Sequence, residues 1–122
     1  MQIVAVALGG AVGALLRYAL RELLPSVTEG RVPLATIAAN VTGSFLLGFL
    51  AITLLQRASV PAELRIGITV GLLGAFTTFS TFSLETVDLI EGGDWPFALL
   101  NVTLSVGAAL LAVWAGQTLA RA

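Results

Sequence analysis

The sequence has no cysteine and no histidine, and each of its 6 basic residues is an arginine. Without cysteine there is no disulfide framework and no thiolate chemistry. Without histidine the chain lacks the commonest metal ligand and general base, which argues against hydrolytic and redox enzymes. Charge is also scarce: 11% of the 122 residues are charged, the formal net charge is −1, and no block of like charge occurs. Neither the basic footprint of a nucleic-acid binder nor a polybasic lipid anchor is present. What fills the chain instead is 57% hydrophobic residues with a mean hydropathy of +1.00. That lies far outside the soluble range, and the chain reads as one all-α domain integral to a membrane.

Four apolar segments, about 3–24, 34–55, 64–90 and 95–119, are expected to be transmembrane helices. The first lacks a basic n-region and a small-residue cleavage site, so it is expected to be a retained helix. Gly9 and Gly13 form a GxxxG pair that lets another helix approach closely. Arg17 near its end has two readings: it snorkels to the interface, or it faces an aqueous vestibule and draws in anions. A polar connector, Pro25 to Val32, leads to the second segment, where Pro33 suits a first helical position. Thr36, Asn40 and Ser44 fall on one face of this helix at one-turn steps. A primary amide in hydrocarbon needs partners, and Asn40 is either helix–helix glue, which typically contributes about 1 kcal/mol, or a donor facing a pore.

The third segment carries the unusual chemistry. Gly67, Gly71 and Gly74 form a second close-packing edge that runs into GAFTTFSTFSLE at 74–85. Projected on a regular helix, Thr77, Ser80, Thr81, Glu85 and Asp88 fall on one side and Phe76, Phe79 and Phe82 on the other. Hydroxyl residues beside Gly74 are also where a membrane helix can break, because Ser and Thr satisfy freed backbone groups and unwound carbonyls can coordinate a cation. The Phe row is either ordinary packing or functional, and Glu85 is either a partnered carboxylate or a functional intramembrane acid. Asp94 is expected to cap the fourth helix, in which Asn101 and Ser105 make a polar patch that serves packing or lines a pore.

With four spans, Arg57, Arg65 and Arg121 lie on one side of the membrane and Arg17, Arg21 and Arg31 on the other. This balance gives almost no positive-inside bias, so two oppositely inserted copies are expected to pair through glycine-rich faces as an antiparallel, dual-topology homodimer.

GGAVGALLRY at 9–18, TIAANVTGSFLLG at 36–48 and GLLGAFTTFSTFSLE at 71–85 together resemble the signature stretches of the CrcB/Fluc fluoride channels across nearly the whole chain. The pattern departs at Ala75, where many members carry a second glycine. The resemblance implies a dual-topology homodimer with two fluoride pathways, a third helix broken at its centre, and a sodium ion (Na+) at the dimer interface bound by the Gly74 and Thr77 carbonyls. It further implies pore rings at Phe79 and Phe82, an amide donor at Asn40, and a hydroxyl track at Ser80 and Thr81 with Glu85 near its end. Ser105 is matched to a fourth-helix serine, and Thr36 is counted with the fluoride pathway.

Such a set suits a small, strongly hydrated anion. Asn, Ser and Thr supply neutral donors, phenyl rings present positive edges, and donors without full charge bind weakly enough to release the ion. The expected function is passive fluoride export from a prokaryotic cell through its inner (plasma) membrane, with the lipid bilayer and a second copy as partners. A small dual-topology, proton-coupled exporter of cationic compounds is the alternative, with Glu85 or Asp88 as its acid. A non-transporting structural protein is a further one.

Overall fold

The computed structural model describes residues 1–24 and 32–122. The expected connector around Pro25, and Arg31 with it, lies outside the described residues. Among the described residues four helices are long and apolar enough to cross a membrane: Gln2–Leu23, Leu34–Thr53, Ala62–Glu91 and Trp95–Arg121. The first two are the regular helices α1 (Gln2–Leu23) and α2 (Leu34–Thr53). The third span consists of α3 (Ala62–Ile66), a π-helical stretch Gly67–Leu73, α4 (Gly74–Phe76) and α5 (Phe79–Glu91). The fourth consists of α6 (Trp95–Thr103), a π-helical turn Leu104–Ala108 and α7 (Ala109–Arg121).

Packing follows the small residues. α1 lies against the first half of the third span, and α2 lies along α7. A methyl group on Gly9 would collide with the Gly67 carbonyl, and one on Gly13 with the Leu72 carbonyl. Across the seam, a methyl on Gly71 would stand 2.8 Å from the Val6 carbonyl oxygen. The two glycine edges read from the sequence therefore face one another. The α2–α7 seam is built in the same way, because a methyl on Gly48 would strike the Val113 carbonyl and one on Gly116 the Phe45 carbonyl. Lipid tails give no hydrophobic reward for joining helices, so backbone-to-backbone approach is what makes these contacts favourable. Gly9→Ala is accordingly expected to destabilise the fold by about 1–3 kcal/mol, the cost of overpacking. Gly10→Ala is the control, since its methyl would lie 4.0 Å from the nearest backbone oxygen of the facing helix. Unfolding in mixed micelles reads the difference, and equal stability of the two variants would count against the seam.

The turn between α5 and α6 corrects one expectation. Asp94 precedes α6, but its side chain makes no capping hydrogen bond. The backbone closes the turn instead: Gly93 N–H donates to the Ile90 carbonyl at 3.0 Å and Asp94 N–H to the Leu89 carbonyl at 2.8 Å. This is a Schellman closure, which requires a left-handed residue, supplied by Gly93 at φ 82°.

Much of the apolar surface remains uncovered. Leu110, Leu111 and Trp114 on α7 are each about two-thirds exposed, as are Leu15 and Tyr18 on α1. Such a surface belongs in contact with lipid or a further protein, and the chain is a multi-pass membrane protein.

Candidate functional site

Between α4 and α5 the backbone leaves the helical region for two residues. Thr77 has φ −82°, ψ 156° and Thr78 has φ −154°, ψ 125°. Local side chains accommodate this. The Thr77 N–H and hydroxyl both donate to the Leu73 carbonyl, at 3.0 and 2.9 Å. The Thr78 hydroxyl oxygen caps α5 by accepting the Thr81 N–H at 3.3 Å.

Asn40 on α2 supplies the remaining partners. Its Nδ2 donates to the Thr78 carbonyl at 2.9 Å, and its Oδ1 accepts the Thr78 N–H at 2.7 Å. The amide thus pairs with one residue's backbone as a neighbouring strand would. Both expected roles remain compatible with this geometry: Asn40 joins two spans, and it also lines the cavity described below.

These bonds release two carbonyls. In an unbroken helix the Thr78 N–H would go to the Gly74 carbonyl and the Thr81 N–H to the Thr77 carbonyl. Here those donors go to Asn40 and to the Thr78 hydroxyl. Gly74 and Thr77, the two residues expected to offer carbonyl oxygens to sodium, therefore fit such an ion chemically. Among the described residues no cluster of three or more His, Cys, Asp or Glu could hold a metal.

An open-sided cavity of about 510 Å³ gathers this centre with the ring pair. Asn40, Gly74, Thr77, Phe79, Phe82 and Ser105 all line it, with Ser44 and Thr78 beside them. Among the described residues no charged side chain lines it. The Phe79 and Phe82 ring centroids are 5.4 Å apart at 49°, a tilted pair. Their surroundings differ, since Phe82 is 8% exposed and Phe79 77%. The regular-helix projection is corrected here: Phe76 and Thr77 precede or occupy the extended pair and do not share the register of α5. Phe76 packs over Gly43 on α2 and is not among the cavity-lining residues.

The other candidates lie outside the cavity. Thr36 donates its hydroxyl proton to Glu85 Oε1 at 2.7 Å, while Glu85 Oε2 is buried without a partner among the described residues. The Thr78 hydroxyl donates to the Thr81 hydroxyl at 3.0 Å and lies 3.4 Å from that of Ser80, so Ser80 and Thr81 form one cluster at the start of α5. Arg17 is half-buried on α1 and is not among the cavity-lining residues. The structure gives two residues partners that the sequence does not name. Thr78 provides the clamped peptide, and Asn101, fully buried, donates to the Thr86 hydroxyl at 2.9 Å and accepts from Ser105 at 3.1 Å. The Asn101–Ser105 spacing is visible in the sequence, whereas the bond to Thr86 joins two separate helices.

A family model described as CrcB-like protein, Camphor Resistance (CrcB), matches residues 4–117. A protein of Methylococcus capsulatus named Fluoride-specific ion channel FluC is 50% identical over 121 residues, covering 99% of this chain and 53% of that protein. The Fluoride-specific ion channel FluC 2 of Symbiobacterium thermophilum is 46% identical over 115 residues, or 94% of each chain. The FluC protein of Magnetococcus marinus is 46% identical over 121 residues, covering 99% and 98%. The chain thus spans about half the length of the first of these relatives and nearly all of the other two.

Proposed function

The chain belongs to the CrcB-like family, and from that membership we propose that it is a fluoride-selective channel, not an enzyme, that lets fluoride leave the cell passively and so lowers its toxicity. The observation that carries this reading is a cavity whose polar groups are neutral: the Asn40 amide, the Ser44 and Ser105 hydroxyls and the Phe79–Phe82 ring pair, with no charged side chain on its wall. The Asn40 amide and Ser44 hydroxyl protons and the ring edges replace part of a fluoride ion's water shell. Because none carries a full positive charge, the ion is not trapped.

The cavity is open along one side, and the Phe79 ring projects from it largely uncovered. A second, oppositely inserted copy would close that side and turn an open groove into an enclosed path, which favours the antiparallel homodimer. The released Gly74 and Thr77 carbonyls from two copies would hold a sodium ion at the interface. When bound, it supplies a fixed positive charge near the anion path and joins the two extended segments. In this reading the interruption at Thr77–Thr78 breaks the third helix for a purpose, since it frees those carbonyls and turns Thr78 toward Asn40. Thr36, Glu85, Ser80 and Thr81 continue the polar route outside the cavity, and Arg17 attracts anions at its mouth. The membrane is the inner (plasma) membrane of a prokaryotic cell.

The cation-exporter alternative is not supported. It needs an acid facing an aromatic cavity, whereas the Glu85 carboxylate bonds Thr36 and is absent from the cavity wall.

Purified protein in fluoride-loaded liposomes is expected to release fluoride, read by a fluoride electrode, while chloride stays trapped. Liposomes that remain impermeable to fluoride, or that leak both halides equally, would overturn the reading.

A further inference from the structure

Ser105 reaches the cavity with its proton already committed. It is 7% exposed and sits in the π-helical turn Leu104–Ala108, where the extra residue re-aims the side chains that follow. Its hydroxyl donates to Asn101 Oδ1 at 3.1 Å. A hydroxyl has one proton and two lone pairs, so in this state Ser105 offers the cavity lone pairs alone, the wrong polarity for an anion.

The remainder of the network shows how that polarity reverses. Asn101 Nδ2 donates to the Thr86 hydroxyl at 2.9 Å, and that hydroxyl donates to the Phe82 carbonyl at 2.7 Å. An amide turned by half a revolution occupies the same space with N and O exchanged. Nδ2 then donates to Ser105, Oδ1 accepts the Thr86 proton, and the Ser105 proton is free to point into the cavity. Every polar atom of the fully buried Asn101 stays paired in both states, as burial demands. The one bond given up is the extra contact to the Phe82 carbonyl, which keeps its helical partner within α5.

We propose that Asn101 is a positioning residue whose amide orientation decides whether Ser105 presents a proton or a lone pair to the ion path. The proposal rests on the fluoride-channel reading. It requires that Asn101 act through Ser105 and not by packing alone.

Fluoride efflux from liposomes is measured for wild type, Asn101→Asp, Ser105→Ala and the double variant. A carboxylate only accepts, so it holds the Ser105 proton permanently, and Asn101→Asp is expected to lower efflux about tenfold, the scale of one lost hydrogen bond to an ion. In the Ser105→Ala background the same change is expected to alter efflux by less than about twofold. A tenfold drop that persists in that background means simple charge repulsion or misfolding and overturns the proposal. Wild type that carries no fluoride overturns the channel reading itself, which is a distinguishable result. Should Asn101→Asp fail to assemble, Asn101→Ala decides. With the acceptor gone, Ser105 donates freely, so Ser105→Ala must cost more efflux in the Asn101→Ala background than alone, and an equal or smaller cost overturns the proposal.

Discussion

Asn40→Asp is expected to lower fluoride efflux by about a hundredfold or more while the protein still assembles. Two effects act in the same direction. Asp can accept the Thr78 N–H but cannot donate to the Thr78 carbonyl, so the 2.9 Å bond disappears and a carbonyl loses its partner, at a cost of about 1–3 kcal/mol. The carboxylate also places a negative charge on the cavity wall, where no charged side chain stands now. Against an anion about 4 Å away, in the intermediate dielectric of a protein edge, that repulsion is about 4 kcal/mol. The repulsion alone exceeds the roughly 2.7 kcal/mol that corresponds to a hundredfold change. Electrode-recorded efflux from liposomes is the measurement, and an undiminished rate would remove Asn40 from the ion path.

Replacing the rings separates transport from stability. Phe82→Ile and Phe79→Ile are each expected to cut efflux about tenfold or more, because both remove a positive ring edge from the cavity wall. Their effects on the fold should differ. Phe82 is 8% exposed and Phe79 77% within the protomer, so only Phe82→Ile should also destabilise, by about 1–3 kcal/mol. Efflux and detergent unfolding are measured on the same preparations. If efflux falls only in the variant that loses stability, the rings are packing groups and not part of the path.

The sequence made some of this legible and hid the rest for physical reasons. Apolar length revealed the four spans, because a bilayer demands it regardless of tertiary contacts. One-turn spacing on α2 placed Thr36, Asn40 and Ser44 on one face, and each now meets the third span or its cavity. Identifying Asn40's partner was a different problem, since the choice of carbonyl depends on how two helices dock. The regular-helix projection failed at Phe76 and Thr77 because it assumes an equal turn at every residue, and Thr77 and Thr78 are extended. Asp94 was misassigned for a related reason: glycine at 93 lets the backbone close the turn without a side chain. Asn101 was readable as packing or as pore lining but not as a link between helices, because its partner Thr86 lies on the preceding helix. Gly9, Gly13, Gly67 and Gly71 were readable as close-packing edges, but that they meet within one copy instead of joining two, and the Gly48 and Gly116 contacts, were not, since nothing in these segments names its neighbour.

The bond between Asn40 and Thr78 also bears on biogenesis. The Thr78 peptide finds its donor and acceptor on a helix made earlier in the chain, so the segment around it has no satisfied form in hydrocarbon until that helix is in place. A ribosome delivers the two in the workable order. A circular permutant in which the Asn40 segment emerges last would send Thr78 through the translocon with a bare peptide, and insertion rather than transport is where it should fail.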